Sequence, residues 1–155
     1  EDLKNYNDYI FNKIYKKQIS EKILDFGCGF GLFSKYMRDE FKLKVLGYEI
    51  NKSAIKKLKK ENIAFTKTLN GYECTFNTVV SLNVLEHIEN DLEAIKSIHK
   101  ILENYGIVVF YLPHSMKIWS NLDEDVGHFR RYTKKDLLYK LKKSKFFVYT
   151  SWVLD

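Results

Sequence analysis

Short apolar runs alternate with amphipathic stretches along nearly the whole chain, and this alternation constrains the fold more than any other feature. The runs Lys22–Phe26, Lys44–Ile50, Ala64–Lys67, Asn77–Leu82, Gly106–Pro113 and Phe146–Trp152 read as strands. Leu3, Tyr6, Ile10 and Ile14 recur at helical spacing and predict a helix over residues 2–18. Leu32, Phe33, Tyr36 and Met37 line one face of a second helix. Ser53–Glu61 reads as a third, with Ser53 as its cap, and Asp91–Leu102 as a fourth, with Leu92, Ile95, Ile98 and Leu102 inward. "TKKD", Thr133–Asp136, has the form of a capping box and opens a last helix through Leu137, Leu138 and Leu141. Strands alternating with helices predict an α/β fold: a mostly parallel central sheet with helices on both faces. Such sheets bind ligands at the carboxyl ends of their strands, where the strand order reverses.

The 155 residues suit a single domain over 1–155, and no linker, repeat or low-complexity tract divides them. With 45% hydrophobic and 15% aromatic residues the chain reads as globular. No apolar run approaches the roughly 20 residues of a membrane span. No signal peptide is visible, and the absence of a methionine at Glu1 leaves room for residues upstream. Cys28 and Cys74 form no metal-binding pattern, and unpaired thiols point to a reducing compartment, most simply the cytoplasm. The net charge of +6 raises the question of a nucleic-acid partner. Lys56, Lys57, Lys59 and Lys60, however, interleave with Ile55 and Leu58 as the solvent face of a helix does.

The sharpest local feature is "ILDFGCGFG", Ile23–Gly31, with glycines at positions 27, 29 and 31 behind Asp25. Glycine is a poor strand or helix former, so three in five positions imply a backbone that something must approach closely. The loop joins the first strand to the following helix, the cofactor position of a doubly wound sheet. Glu49, at the end of the second strand, lies 18 positions after Gly31, close to the spacing of a carboxylate that grips ribose hydroxyls. A dinucleotide fingerprint reads G-x-G-x-x-G, whereas this loop reads G-x-G-x-G, which argues against a nicotinamide dehydrogenase.

At Asp25, Gly27, Gly29 and Gly31 the chain resembles the D-x-G-x-G-x-G motif of class I methyltransferases that use S-adenosylmethionine. "FNTVVSLNVLEHI" (76–88) and "GIVVFYLP" (106–113) resemble the fourth and fifth strands of the small-molecule branch that includes ubiquinone-pathway O-methyltransferases. "GHFRRYTKKDL" (127–137) resembles a further segment found in part of that branch. The resemblance implies a Rossmann-like class I fold and S-adenosylmethionine as cofactor, with S-adenosylhomocysteine as product. It implies cofactor contacts from Asp25, Gly27, Cys28, Gly29, Gly31, Glu49, Ile50 and Asn83. The chain departs from the branch at Asn77, where an aspartate is usual, and in "FTKTLN" (65–70), which lacks the acid that often holds the adenine amino group. Backbone groups near Thr68 and Leu69 are expected to take that role. The family's seventh strand is absent or lies beyond residue 155.

Methyl transfer from a sulfonium is an in-line displacement, so the protein must mainly align the acceptor and exclude water. A hydroxyl acceptor would be helped by a base. His87 in "VLEHI", His114 after the fifth strand and His128 in "EDVGHFRRY" are the candidates, while His99 reads as a helix-boundary residue. The long connection 115–132 is of a length that suits a substrate loop. Arg130 and Arg131 beside His128 would orient an acidic acceptor, or anchor the loop through Asp123, Glu124 or Asp125. No cluster has metal-ligand spacing, and no metal is expected. The leading expectation is transfer of a methyl group to an oxygen of a glycan, quinone or lipid-related compound. The alternatives are a nucleic-acid methyltransferase and a non-catalytic cofactor-binding partner subunit. "NVLEH" lacks the N/D-P-P-Y type segment that clamps a flipped base, which argues against nucleic acid.

Overall fold

The computed structural model describes residues 8–9 and 22–151. The helix expected over 2–18 lies outside the described residues except for Asp8 and Tyr9, which are helical. Five strands, β1 (Ile23–Phe26), β2 (Val45–Tyr48), β3 (Phe65–Thr66), β4 (Phe76–Leu82) and β5 (Leu102–Tyr111), form one sheet in the order β3-β2-β1-β4-β5. β1 pairs in parallel with β2 and with β4, placing Asp25 opposite Gly47 on one side and Val80 on the other, and β2 pairs in parallel with β3. The order reverses between β1 and β4, the switch point of a doubly wound sheet. All four β1 residues are buried, the three apolar ones as a central strand of a parallel sheet requires and Asp25 among them.

Among the described residues, α1 (Leu32–Phe41), α2 (Lys52–Lys60) and α3 (Asp91–Ile101) lie between strands, and α4 (Asn121–Asp125) and α5 (Lys134–Lys143) follow β5. α2 buries Ala54, Ile55 and Leu58 and leaves its four interleaved lysines exposed. Its cap is Asn51 rather than the expected Ser53. Asn51 is extended, and its Oδ1 accepts the N–H groups of Ser53 at 2.9 Å and Ala54 at 3.2 Å, whereas Ser53 is already inside the helix. At α5 the expected box forms: Thr133 Oγ1 accepts the Asp136 N–H at 3.2 Å, and the Asp136 carboxylate accepts the Thr133 N–H at 3.4 Å.

Three expectations change. β5 begins at Leu102, not Gly106, because the ladder runs through Asn104-Tyr105-Gly106, which the sequence marks as a break; Tyr105 takes φ +66 there. The run from Phe146 forms no strand through residue 151, and Phe147 is fully exposed. Apolar content supplies a pattern but no hydrogen-bonding partner, and a strand needs both. The connection 115–132 is not irregular throughout: it holds a 3₁₀ turn at Met116–Ile118 and α4, and Tyr132 bridges back to His114.

Two compact units result. The first, Glu1–Leu82 with Ile101–Val109, has its core in β1, β4 and α2, with Leu24, Val79, Val80 and Leu58 fully buried. The second, Asn83–Lys100 with Phe110–Asp155, is built around Leu85, Ile95, Tyr132 and Leu141, against which Phe110, Leu137 and Phe146 pack. The His99 ring lies edge-on to Phe146 with centroids 5.0 Å apart. Among the described residues, no helix is long and apolar enough to cross a membrane.

Candidate functional site

The glycine loop of the first unit leaves β1 at Phe26. The N–H groups of Gly27 and Cys28 both donate to the Tyr48 carbonyl, at 2.9 and 3.1 Å, which ties the loop to the end of β2. Gly27, Gly29 and Gly31 all adopt positive φ, at +73, +53 and +74. Beyond that shared backbone requirement, two of them serve different ends. A Cβ on Gly31 would lie 2.5 Å from Ile63 Cδ1 and 2.5 Å from Leu58 Cδ2, so this glycine lets the start of α1 pack against the core. Among the described residues, a Cβ on Gly29 would meet nothing within 4 Å. The open backbone is therefore at Gly29, and there a ligand has room to approach. Cys28 turns its thiol into the gap left by Gly47, where a Cβ would come within 2.5 Å of Sγ. Burial, reinforced by Asp25 and Glu49, pushes that thiol well above its ordinary range, so it is a packed neutral group rather than a nucleophile.

Two carboxylates organise the loop. Asp25 is buried and accepts a hydrogen bond of 2.6 Å from the Ser34 hydroxyl on α1. Burial raises its pKa from 3.8 to about 6; the Ser34 bond opposes the rise and the Glu49 charge adds to it. The folded state thus holds this proton more tightly than the unfolded chain does. Its stabilising contribution is complete below about pH 4 and is lost as pH rises through about 6. Asp25→Asn removes the titration. The stability of the wild type relative to this variant is expected to fall by on the order of 3 kcal/mol between those pH values. Urea unfolding of both proteins at pH 4, 5, 6 and 7 checks this, and a constant difference would contradict it.

Glu49 is half-buried beyond the end of β2. Its Oε2 accepts the Gly29 N–H at 2.8 Å, and its Oε1 accepts the N–H groups of Ile50 and Asn51 at 2.8 and 2.7 Å. The carboxylate thus holds the open glycine and leads the chain into α2. Ile50 beside it is 68% exposed. After β3, Thr68 is exposed, its N–H donating to Thr66 Oγ1 at 3.3 Å, and the Leu69 carbonyl accepts the Tyr72 N–H at 3.2 Å. Asn83, grouped with these residues in sequence, belongs to the second unit, where its N–H donates to the Tyr111 carbonyl at 2.9 Å.

The second unit carries the candidate histidines. His128 Nδ1 lies 2.8 Å from Asp123 Oδ1, and Arg131 grips the same carboxylate with Nε at 2.7 Å and a terminal nitrogen at 3.0 Å. Asp123 also accepts the Ser120 N–H at 2.9 Å, which caps α4. The Arg131 guanidinium, working against burial, holds the Asp123 carboxyl well below the usual range. The His87 ring stands edge-on to that of His128, centroids 4.6 Å apart, and burial, then the neighbouring His128, lowers its pKa. His114 is exposed and stands apart in sequence and in bonding, its backbone bridged to Tyr132.

Several groups escaped the sequence reading. Arg130 pairs not with the loop acids but with Asp91 at the start of α3, at 2.8 Å. Asp91 also receives the Tyr132 hydroxyl at 2.6 Å and the Lys140 ammonium. Burial would raise the Asp91 pKa, but Lys140, Tyr132 and Arg130 together bring it below the ordinary value. Glu86 is fully buried, and among the described residues neither of its carboxylate oxygens has a hydrogen-bond partner. Burial lifts its pKa from 4.5 to about 7. The absence of metal-ligand spacing along the sequence also fails to carry over into space: ligand atoms of Glu86, His87 and His128 lie within 4.8 Å of one another. The one available signal was "LEH" beside a buried strand, where an acid is out of place.

A family model described as a methyltransferase domain matches residues 5–148. The chain is 36% identical over 124 residues to an uncharacterized protein of Methanocaldococcus jannaschii, covering 70% of this chain and 54% of that one, so it spans about half the length of the relative it matches. An S-adenosylmethionine-dependent methyltransferase from Archaeoglobus fulgidus superposes with a TM-score of 0.75 at 18% identity, covering 91% of this chain and 67% of that one. Phosphoethanolamine N-methyltransferase 2 of Haemonchus contortus, in complex with S-adenosylmethionine, gives 0.74 at 18% identity, covering 90% and 36%. SpnF, a 4+2 cyclase, gives 0.72 at 15% identity, covering 90% and 55%. These structural likenesses establish the Rossmann-like class I methyltransferase fold.

Proposed function

Since the chain belongs to the methyltransferase-domain family, we propose that it binds S-adenosylmethionine and transfers its methyl group to a small-molecule acceptor. The observation that carries this reading is the loop itself: three positive-φ glycines behind a buried aspartate, with open space at Gly29 and the Glu49 carboxylate bonded to its N–H. When bound, the cofactor supplies a methyl group already activated on a sulfonium, with a neutral thioether as leaving group. In this reading the backbone at Gly27, Cys28, Gly29 and Gly31 admits the methionine part. Glu49, which uses three of its roughly four acceptor positions on backbone N–H groups, takes a ribose hydroxyl with the remainder. Ile50 lies along the adenine, and backbone groups of Thr68 and Leu69 bind its edge. Asp25 keeps Ser34 and the loop in register.

The acceptor we favour is an oxygen of a glycan, quinone or lipid-related compound, on the resemblance of residues 76–88 and 106–113 to ubiquinone-pathway enzymes. A hydroxyl acceptor loses its proton as its oxygen forms the new bond to carbon, and His128, His114 and His87 are the groups proposed to receive it. Within the second unit, Asp123 holds the Nδ1 side of His128 at 2.8 Å. A protein of the reducing cytoplasm fits two free cysteines. A fold does not fix a chemistry, and the second reading is a non-catalytic cofactor-binding partner subunit.

Calorimetry tests the first step. S-adenosylmethionine and S-adenosylhomocysteine are expected to bind and NAD not to. Gly29→Ala should weaken the first two by about tenfold or more, while the left-handed backbone costs the variant roughly 1–2 kcal/mol of stability. NAD binding tighter than S-adenosylhomocysteine would overturn the reading. An acceptor screen read out as S-adenosylhomocysteine formation then separates an enzyme from a silent cofactor binder.

A further inference from the structure

We propose that Glu86, His87 and His128 form a binding site for a divalent transition-metal ion, of which Zn²⁺ is the reference case. The inference rests on the second unit alone and holds whether or not the first unit binds S-adenosylmethionine; with the metal bound, His87 and His128 ligate it in place of accepting a proton.

Glu86 provides the first reason. Its side chain has no solvent exposure, and both carboxylate oxygens lack a hydrogen-bond partner among the described residues. A buried carboxylate without partners is costly, and a bound cation is one of the few neighbours that removes the cost. Its Oε1 lies 4.0 Å from His128 Nε2. The second reason is how His128 is held. Asp123 takes its Nδ1, so Nε2 is the nitrogen left facing Glu86, and Arg131 clamps Asp123 from the other side. A carboxylate that holds one ring nitrogen while the other is turned to a ligand position is how metal-bound imidazole is usually oriented. The third ligand, His87, is exposed, stands edge-on to His128, and completes a set whose ligand atoms span at most 4.8 Å.

Zinc binds nitrogen and oxygen at about 2.0–2.2 Å, which places ligands some 3–3.5 Å apart. The 4.0 Å between Glu86 and His128 and the 4.8 Å span of the set both exceed that spacing, so a bound ion would draw the Glu86 carboxylate and both imidazoles inward. Two imidazoles and one carboxylate select Zn²⁺, Fe²⁺, Co²⁺ or Ni²⁺ over Mg²⁺ and Ca²⁺, which prefer all-oxygen sites. Three protein ligands leave coordination positions open, the pattern of a site that takes water or substrate rather than one that only staples the fold. Asp123 and Arg131 touch none of these positions and act as positioning residues.

The test uses the full chain stripped with a chelator and titrated with Zn²⁺ by calorimetry and with Co²⁺ by visible absorption. One ion per chain is expected, with cobalt bands of nitrogen–oxygen coordination and a rise in melting temperature on zinc addition. Glu86→Gln, His87→Ala and His128→Ala should each weaken binding at least tenfold. Asp123→Asn should weaken it by roughly 10- to 100-fold with the cobalt spectrum shifted. His99→Ala and the Cys28→Ser, Cys74→Ser double variant should bind as the wild type does. His87→Ala, which alters an exposed side chain, keeps the test decisive if a buried variant fails to fold. No binding at millimolar metal, binding unchanged in His87→Ala and Glu86→Gln, or binding lost only with the cysteines would each overturn the proposal.

Discussion

Asp91→Ala is expected to destabilise the protein by about 3–5 kcal/mol, enough to leave a domain of this size largely unfolded under mild denaturant. The reason is the number of groups that depend on one carboxylate. Asp91 is 4% exposed in its side chain and faces Arg130 and Lys140, themselves only about a quarter exposed. It also accepts the hydroxyl of Tyr132, which sits in the core of the second unit. Removing the acid leaves two cations and a buried hydroxyl without their partner, and that penalty exceeds what the paired group contributes. The exposed pair Lys96–Glu93 on the same helix provides the contrast: Lys96→Ala should cost well under 1 kcal/mol. Denaturant unfolding of the three proteins checks both values, and a loss for Asp91→Ala no larger than for Lys96→Ala would refute the hub. The pH dependence has a definite sign. The Asp91 pKa is lowered on folding, so its contribution is present above the ordinary aspartate range and is lost as pH falls through the folded value. Asp91→Asn should therefore lose its disadvantage in acid.

Glu49→Ala is expected to weaken S-adenosylhomocysteine binding by about 100-fold or more. Hydrogen bonds to a charged group contribute roughly 1.5–3 kcal/mol each, and the variant also releases the Gly29 N–H that Glu49 holds at 2.8 Å. Two effects thus add: a ribose partner is lost, and the open glycine is no longer fixed. Glu49→Gln separates them, because one amide oxygen can still accept a backbone N–H while the charge is gone; it should retain more of the loop and less of the affinity. Calorimetry gives the affinities and thermal melting shows whether the fold survives. Affinity within twofold of the wild type in Glu49→Ala would remove Glu49 from the site and leave it as a cap for the turn into α2.

The contrast between these two residues shows where information about this protein resides. Glu49 was visible in the sequence because its place relative to the glycine loop follows from one strand, one helix and the next strand, each recorded in local spacing. The parallel α/β plan, the lysine face of α2 and the Thr133–Asp136 box were legible for the same reason: periodicity and capping involve residues a few positions apart. Even there, the position before Ser53 that takes the extended conformation had to be seen, since two good capping residues stand two apart and only Asn51 occupies it. Asp91 was not visible, because Arg130, Tyr132 and Lys140 lie 39 to 49 positions away and any of several acids had equal claim to them. Likewise the sequence by itself determined that the backbone around Gly27, Gly29 and Gly31 must be left-handed or closely approached. Only the tertiary structure decided that Gly31 yields to Leu58 and Ile63 while Gly29 stays open, that Glu86 is buried beside His128, and that the run from Phe146 finds no strand through residue 151. Local spacing encodes which conformations a segment prefers; which distant side chains share a buried space is set by the topology of the sheet and its crossovers, and burial then decides what each pairing is worth.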